Sequence, residues 1–139
     1  QGSAAIPISG GSGVSCSLSL ALAGQCLRAE ELRAQHKRTL LELCKEALRD
    51  KARAELAWLG HHRRVLENLQ DSNGASAMAA KQRKILQELK QEQAEIQHLQ
   101  NIYRAAHQER KLLLNQQREI LMLQLSAAQL QKKLHSLPG

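Results

Sequence analysis

Asp71-Ser-Asn-Gly-Ala-Ser76 decides the fold, because it is the only turn signal inside a run, Leu27 to Leu137, that has no proline and just two glycines, Gly60 and Gly74. Leu, Ala, Gln, Glu, Lys and Arg fill most of that run, and these are strong helix formers, whereas Gly and Pro are the poorest. The turn places Asn73 or Gly74 at a helix C-terminus and Ser76 at the N-cap of the helix that follows. Short helix connections join neighbours in space, so the expected fold is all-α, with two long helices forming an antiparallel helical hairpin or coiled coil. Two rods splayed on a large partner are the alternative arrangement.

Working outward from the turn, the first long helix is expected over 28–70, the connection over 71–76 and the second long helix, a coiled coil, over 77–136. Ahead of them residues 1–25, QGSAAIPISGGSGVSCSLSLALAGQ, are rich in Gly and Ser and nearly uncharged, which predicts a flexible arm. Val14, Cys16, Leu18, Leu20 and Leu22 alternate there with small or polar residues. That strand period offers addition to a partner's sheet edge as a second reading. Glu30 and Glu31 suit the first turn of the first helix, and Gly60, ahead of His61 and His62, marks a kink or weak point. Beginning at Gln1, the chain reads as a segment of something longer.

The seam of the first helix is traced through Leu41, Cys44, Leu48, Lys51, Glu55, Trp58, His62, Val65 and Leu69. A second stripe through Leu48, Ala52, Leu56, Leu59 and Leu66 lies beside it. In the second helix the seam runs through Ile85, Leu89, Glu92, Ile96 and Leu99, then takes an extra three-residue step to Ile102. From there it continues through Ala106, Glu109, Leu113, Gln116, Ile120, Leu123, Ala127, Leu130, Leu134 and Leu137. The extra step is a stammer in an otherwise sustained heptad pattern.

With no Phe, one Trp (Trp58) and one Tyr (Tyr103), the chain lacks the aromatic mass of an ordinary core, and its apolar 42% is mostly Leu and Ala at helical spacing. Catalysis is not expected: there is no phosphate-binding glycine loop, no GxSxG, no HExxH, and no cysteine near an orienting histidine and acid. Among the six histidines only His61 and His62 are adjacent, and adjacent helical positions diverge, so neither metal nor cofactor is expected. Cys16, Cys26 and Cys44 form no CxxC pair and read as reduced intracellular thiols, with Cys44 packed in the seam. The apolar part of the arm is too short to span a bilayer.

The net charge of +7, from 20 Lys and Arg against 13 Asp and Glu, favours acidic partners: nucleic acid, anionic membrane, or an acidic protein surface such as tubulin. Candidate contacts are Lys81, Arg83 and Lys84, then Arg110 and Lys111, then Lys132 and Lys133. The alternative is that these long cationic side chains shield the seam. Trp58, beside Leu59, is read as a plug in the hairpin interface, with an anchor for a partner as the other reading. Asn101-Ile-Tyr-Arg-Ala-Ala-His-Gln-Glu-Arg110 ahead of Leu113, Ile120, Ala127 and Leu134 has the outline of a basic-region leucine zipper. The spacing between its Asn and its Ala pair is one residue too long, and few cations flank it.

Three blocks carry a family likeness: Lys51-Ala-Arg-Ala-Glu-Leu-Ala-Trp-Leu59, Lys81-Gln-Arg-Lys-Ile-Leu-Gln-Glu-Leu-Lys-Gln-Glu-Gln-Ala-Glu-Ile96 and Arg104-Ala-Ala-His-Gln-Glu-Arg-Lys-Leu-Leu-Leu-Asn-Gln-Gln-Arg-Glu-Ile120. They resemble the family of centrosome-associated protein 350 and its smaller paralogue, coiled-coil domain-containing protein 187, the smaller being the nearer. The resemblance covers residues 28–134, and residues 1–25 lie outside it. It implies a cytoskeletal role in the cytoplasm, anchoring microtubules at a centrosome, basal body or cilium and assembling with other coiled-coil proteins. The expected function is accordingly a non-enzymatic scaffold segment for a microtubule-based assembly. Expected partners are coiled-coil proteins or a second copy, together with tubulin or microtubules. A basic coiled coil that binds nucleic acid, and a plain homodimerisation module, are the alternatives.

Overall fold

The computed structural model describes residues 13–138, and they form two helices, α1 over Gly13–Asn68 and α2 over Ser72–His135. The fold is the expected all-α hairpin, but its boundaries differ from the expected ones. Residues 13–25 are helical where a flexible arm was expected, and the arm's remainder, residues 1–12, lies outside the described residues. The strand period is overridden by a helical one, because Cys16, Leu20, Ala23 and Leu27 turn to one side of α1, and Ala23 packs with Leu114 and Leu121. Gly60 does not end α1, which runs through it.

The turn is tighter than 71–76 and earlier in the chain. Asp71 N–H donates to Leu66 O over 2.9 Å and Gln70 N–H to Glu67 O over 3.0 Å, the paired bonds of a Schellman stop. The left-handed position that such a stop requires is held by Gln70, at φ 59°, and not by Asn73 or Gly74. Asp71 in turn caps α2: its Oδ1 accepts from Gly74 N–H at 2.9 Å, and its carbonyl from Ala75 N–H at 3.0 Å. Ser76 is therefore inside α2 and caps nothing. Gly74 is a glycine because a Cβ there would lie 2.6 Å from Asp71 Oδ2 and 3.2 Å from Leu66 Cδ1.

Two compact units divide the helices. One comprises Lys37–Ile102 and contains the turn. Its inward face on α1 runs through Leu41, Lys45, Leu48, Ala52, Leu56, Leu59 and Leu66, and on α2 through Ala75, Gln82, Ile85, Leu89, Gln93, Ile96 and Gln100. The stripe named second in the sequence is thus the true seam of α1. Trp58, Val65 and Leu69 on the first stripe are exposed, as is Cys44. Polar cross-links join the two helices here: Gln100 Nε2 donates to Glu42 Oε1 at 2.9 Å, Gln82 Nε2 donates to Leu56 O and Arg63 donates to Gln82 Oε1.

The other unit joins α1 through His36 to α2 from Tyr103 onward. Its core is Ala23, Leu114 and Leu121, with Leu20, Cys26 and Leu27 packed against it. On α2 the inward positions are His107, Arg110, Leu114, Gln117, Leu121 and Leu125. Within this unit the inward positions from His107 to Leu121 keep regular steps of three and four. The expected stammer at Leu99 to Ile102 is the point where the apolar pattern leaves the inner face for the outer one, and Leu113, Ile120, Leu123, Leu130 and Leu134 are exposed.

Candidate docking face and ion-pair cluster

Trp58 is 61% exposed, so it is not the plug of the hairpin. One residue on, Leu59 takes the inward position and is buried. The physical reason is helical phase: Ala52, Leu56 and Leu59 share the face toward α2, and Trp58 is rotated off it by one position. Its indole stacks on the His62 ring one turn later, centroids 4.7 Å apart and planes at 17°.

Beneath this stack an open groove of about 590 Å³ runs between the helices, lined by Ala54, Trp58, Leu59 and Ile85, with Glu55, Lys81, Lys84 and Glu88 also on its wall. Of the basic candidates, then, Lys81 and Lys84 stand at the groove with Trp58 and Leu59. Arg83 is exposed on α2 but does not line it. Lys132 and Lys133 lie in the last turn of α2, where cations suit the helix dipole, and belong to the other unit. The sequence reading missed Ala54, Ile85 and Glu88 because a groove exists only once the register of the two helices is known.

Arg110 and Lys111 have structural partners. Arg110 Nε donates to Glu30 Oε1 at 2.6 Å, and Lys111 Nζ lies 2.9 Å from Glu31 Oε1. His107 sits between the two acids, Nδ1 3.3 Å from Glu30 Oε1 and Nε2 3.5 Å from Glu31 Oε1, while Arg33 Nη2 stands 3.3 Å from Glu30 Oε2. Glu30 is only 1% exposed. Burial, its largest single influence, raises its pKa, but hydrogen bonds from Arg110 and His107 and the charges of Arg110 and Arg33 together outweigh it. The carboxyl is held below the ordinary 4.5. Glu31 is lowered too, chiefly by the hydrogen bond and charge of Lys111. Expected only as acids at a helix start, Glu30 and Glu31 are in fact mid-helix clasps. Their partners at His107, Arg110 and Lys111 are legible only after the chain is folded back.

Among the described residues no group of three or more His, Cys, Asp or Glu is placed to hold a metal ion, and no helix is long and apolar enough to cross a membrane. These features define a class: a two-helix coiled-coil hairpin, clasped inside by ion pairs and bearing apolar side chains on its outward faces. Among its relatives is centrosome-associated protein 350 of mouse (Mus musculus), to which the chain is 39% identical over 131 residues. That match takes in 94% of the chain but 4% of the relative, so this hairpin resembles one short segment of a far larger protein of that family. No family profile and no solved structure matches the chain.

Proposed function

We propose that this hairpin is a non-enzymatic scaffold segment of a centrosomal, microtubule-based assembly, with partner helices docking in the Trp58 groove and lysines at its wall facing acidic protein. The observation that carries the docking role is the exposure of the chain's single Trp over an apolar groove. A large aromatic left in water is costly unless a partner covers it, and Trp is the residue most enriched among binding anchors. Lys81 and Lys84, with Glu55 and Glu88 on the same wall, would let the groove pair with charges of both signs on a docked helix, the lysines taking its acidic side chains. The centrosomal setting is supported by the similarity to centrosome-associated protein 350. Anchoring to microtubules, and a place at a basal body or cilium, belong to the same proposal through the basic surface and its match to the acidic tubulin lattice.

Co-sedimentation with microtubules, run beside binding to duplex DNA over a salt series, tests the choice of polyanion. Microtubule pelleting that weakens when Lys81 and Lys84 become Glu is the expected result. Tight DNA binding without microtubule pelleting would instead establish the nucleic-acid reading.

A further inference from the structure

The outward face of α2 repeats a heptad of its own. Leu113, Ile120, Leu123, Leu130 and Leu134 are 50%, 43%, 70%, 61% and 61% exposed, and their spacing alternates by multiples of three and four through Gln116 and Ala127. This seam is separate from the inner one through Leu114 and Leu121 and from the Trp58 groove. Its length, three heptads on one face, is what a coiled-coil pair uses.

We infer that this seam pairs with the same seam of a second copy, antiparallel, in the register that sets Glu119 opposite the partner's Lys133. Charge complementarity selects the occupant and the direction. Glu119 and Lys133 are exposed and flank the seam on the same side, two heptads apart, with Ser126 midway. In an antiparallel pair residues of that flank meet each other across the interface. Two-fold symmetry about Ser126 then forms the Glu119–Lys133 pair twice and brings no like charges together. A parallel pair would set that flank against the opposite one, where Glu119 meets only the neutral Gln124 and no opposite charges pair. The antiparallel register also seats large against small: Leu123 faces the partner's Ala127, and Ile120 faces the partner's Leu130. A parallel pair would stack Ala127 on itself and leave a gap.

The test is sedimentation equilibrium of the full 139-residue chain, with three charge variants. The wild type is expected to be a dimer at roughly tens of micromolar. Glu119→Lys and Lys133→Glu should each weaken it about three- to tenfold, since each reversal turns two attractive pairs repulsive, and the double reversal should restore it. Leu123→Glu should give a monomer whose helix content by circular dichroism is unchanged, because Leu123 lies outside the hairpin's own seam. A monomeric wild type, leaving this face for a different protein, overturns the proposal. So does a double reversal as weak as the single ones, which would mean another register or a parallel pair. None of these readings depends on microtubules or on the Trp58 groove.

Discussion

Leu121 is fully buried and Leu123, two positions on, is 70% exposed. Replacing Leu121 by Ala removes core contacts and opens a cavity, at a cost of about 3 kcal/mol, whereas Leu123→Ala should leave hairpin stability within about 0.5 kcal/mol. Urea unfolding of the two variants at low protein concentration checks both. Glu30 gives a second contrast, in pH. Its folded pKa lies below its ordinary 4.5, so its contribution is complete above 4.5 and is lost as the pH falls through the lowered folded value. Glu30→Gln should therefore destabilise the chain by about 2 kcal/mol at pH 7, and the gap between variant and parent should close in acid. A gap that stays constant from neutral pH down to the acid limb would show that the charge of Glu30 is not what its partners recognise.

At the scale of the element, the turn and the seams show what sequence reading can and cannot reach. That there are two helices was legible from the absence of proline, and the site of the reversal was legible to within a few residues from the Asp71 to Ser76 cluster. The stop itself was hidden, because Gln70 carries the left-handed conformation and no propensity favours Gln there. Gln70→Gly should accordingly stabilise the hairpin by about 1 kcal/mol, and Gly74→Ala should destabilise it by a similar amount by pressing on the Asp71 cap, both read from thermal melts. The second helix misled for a different reason. It carries two apolar faces, and a seam traced through the most apolar residues steps from the inner face, at Ile96, to the outer one, at Ile102. The inner face accepts Gln100, His107 and Arg110 because α1 supplies polar partners there, Glu42 to Gln100 and Glu30 to His107 and Arg110. Such compensation across the two helices is invisible until the register is set.

On the whole-molecule scale the hairpin separates two tasks. Inward residues build the pair of helices, with ion pairs such as Glu30 to Arg110 restricting the register in which they can pack. Outward residues, Trp58 over its groove and the outer seam of α2, are exposed, and the docking roles proposed above rest on them. Of the residues singled out in the sequence, Trp58, Leu59, Lys81 and Lys84 gather at one place, whereas Arg110 and Lys111 are taken up in holding the helices together. The most direct measurement is the recruitment of the fluorescently tagged chain to the centrosome in dividing cells, beside that of a Trp58→Ala variant shown by circular dichroism to be equally helical. A centrosomal focus is expected for the parent, and its loss in the variant. Equal recruitment of the two, or no focus for the parent, would contradict it.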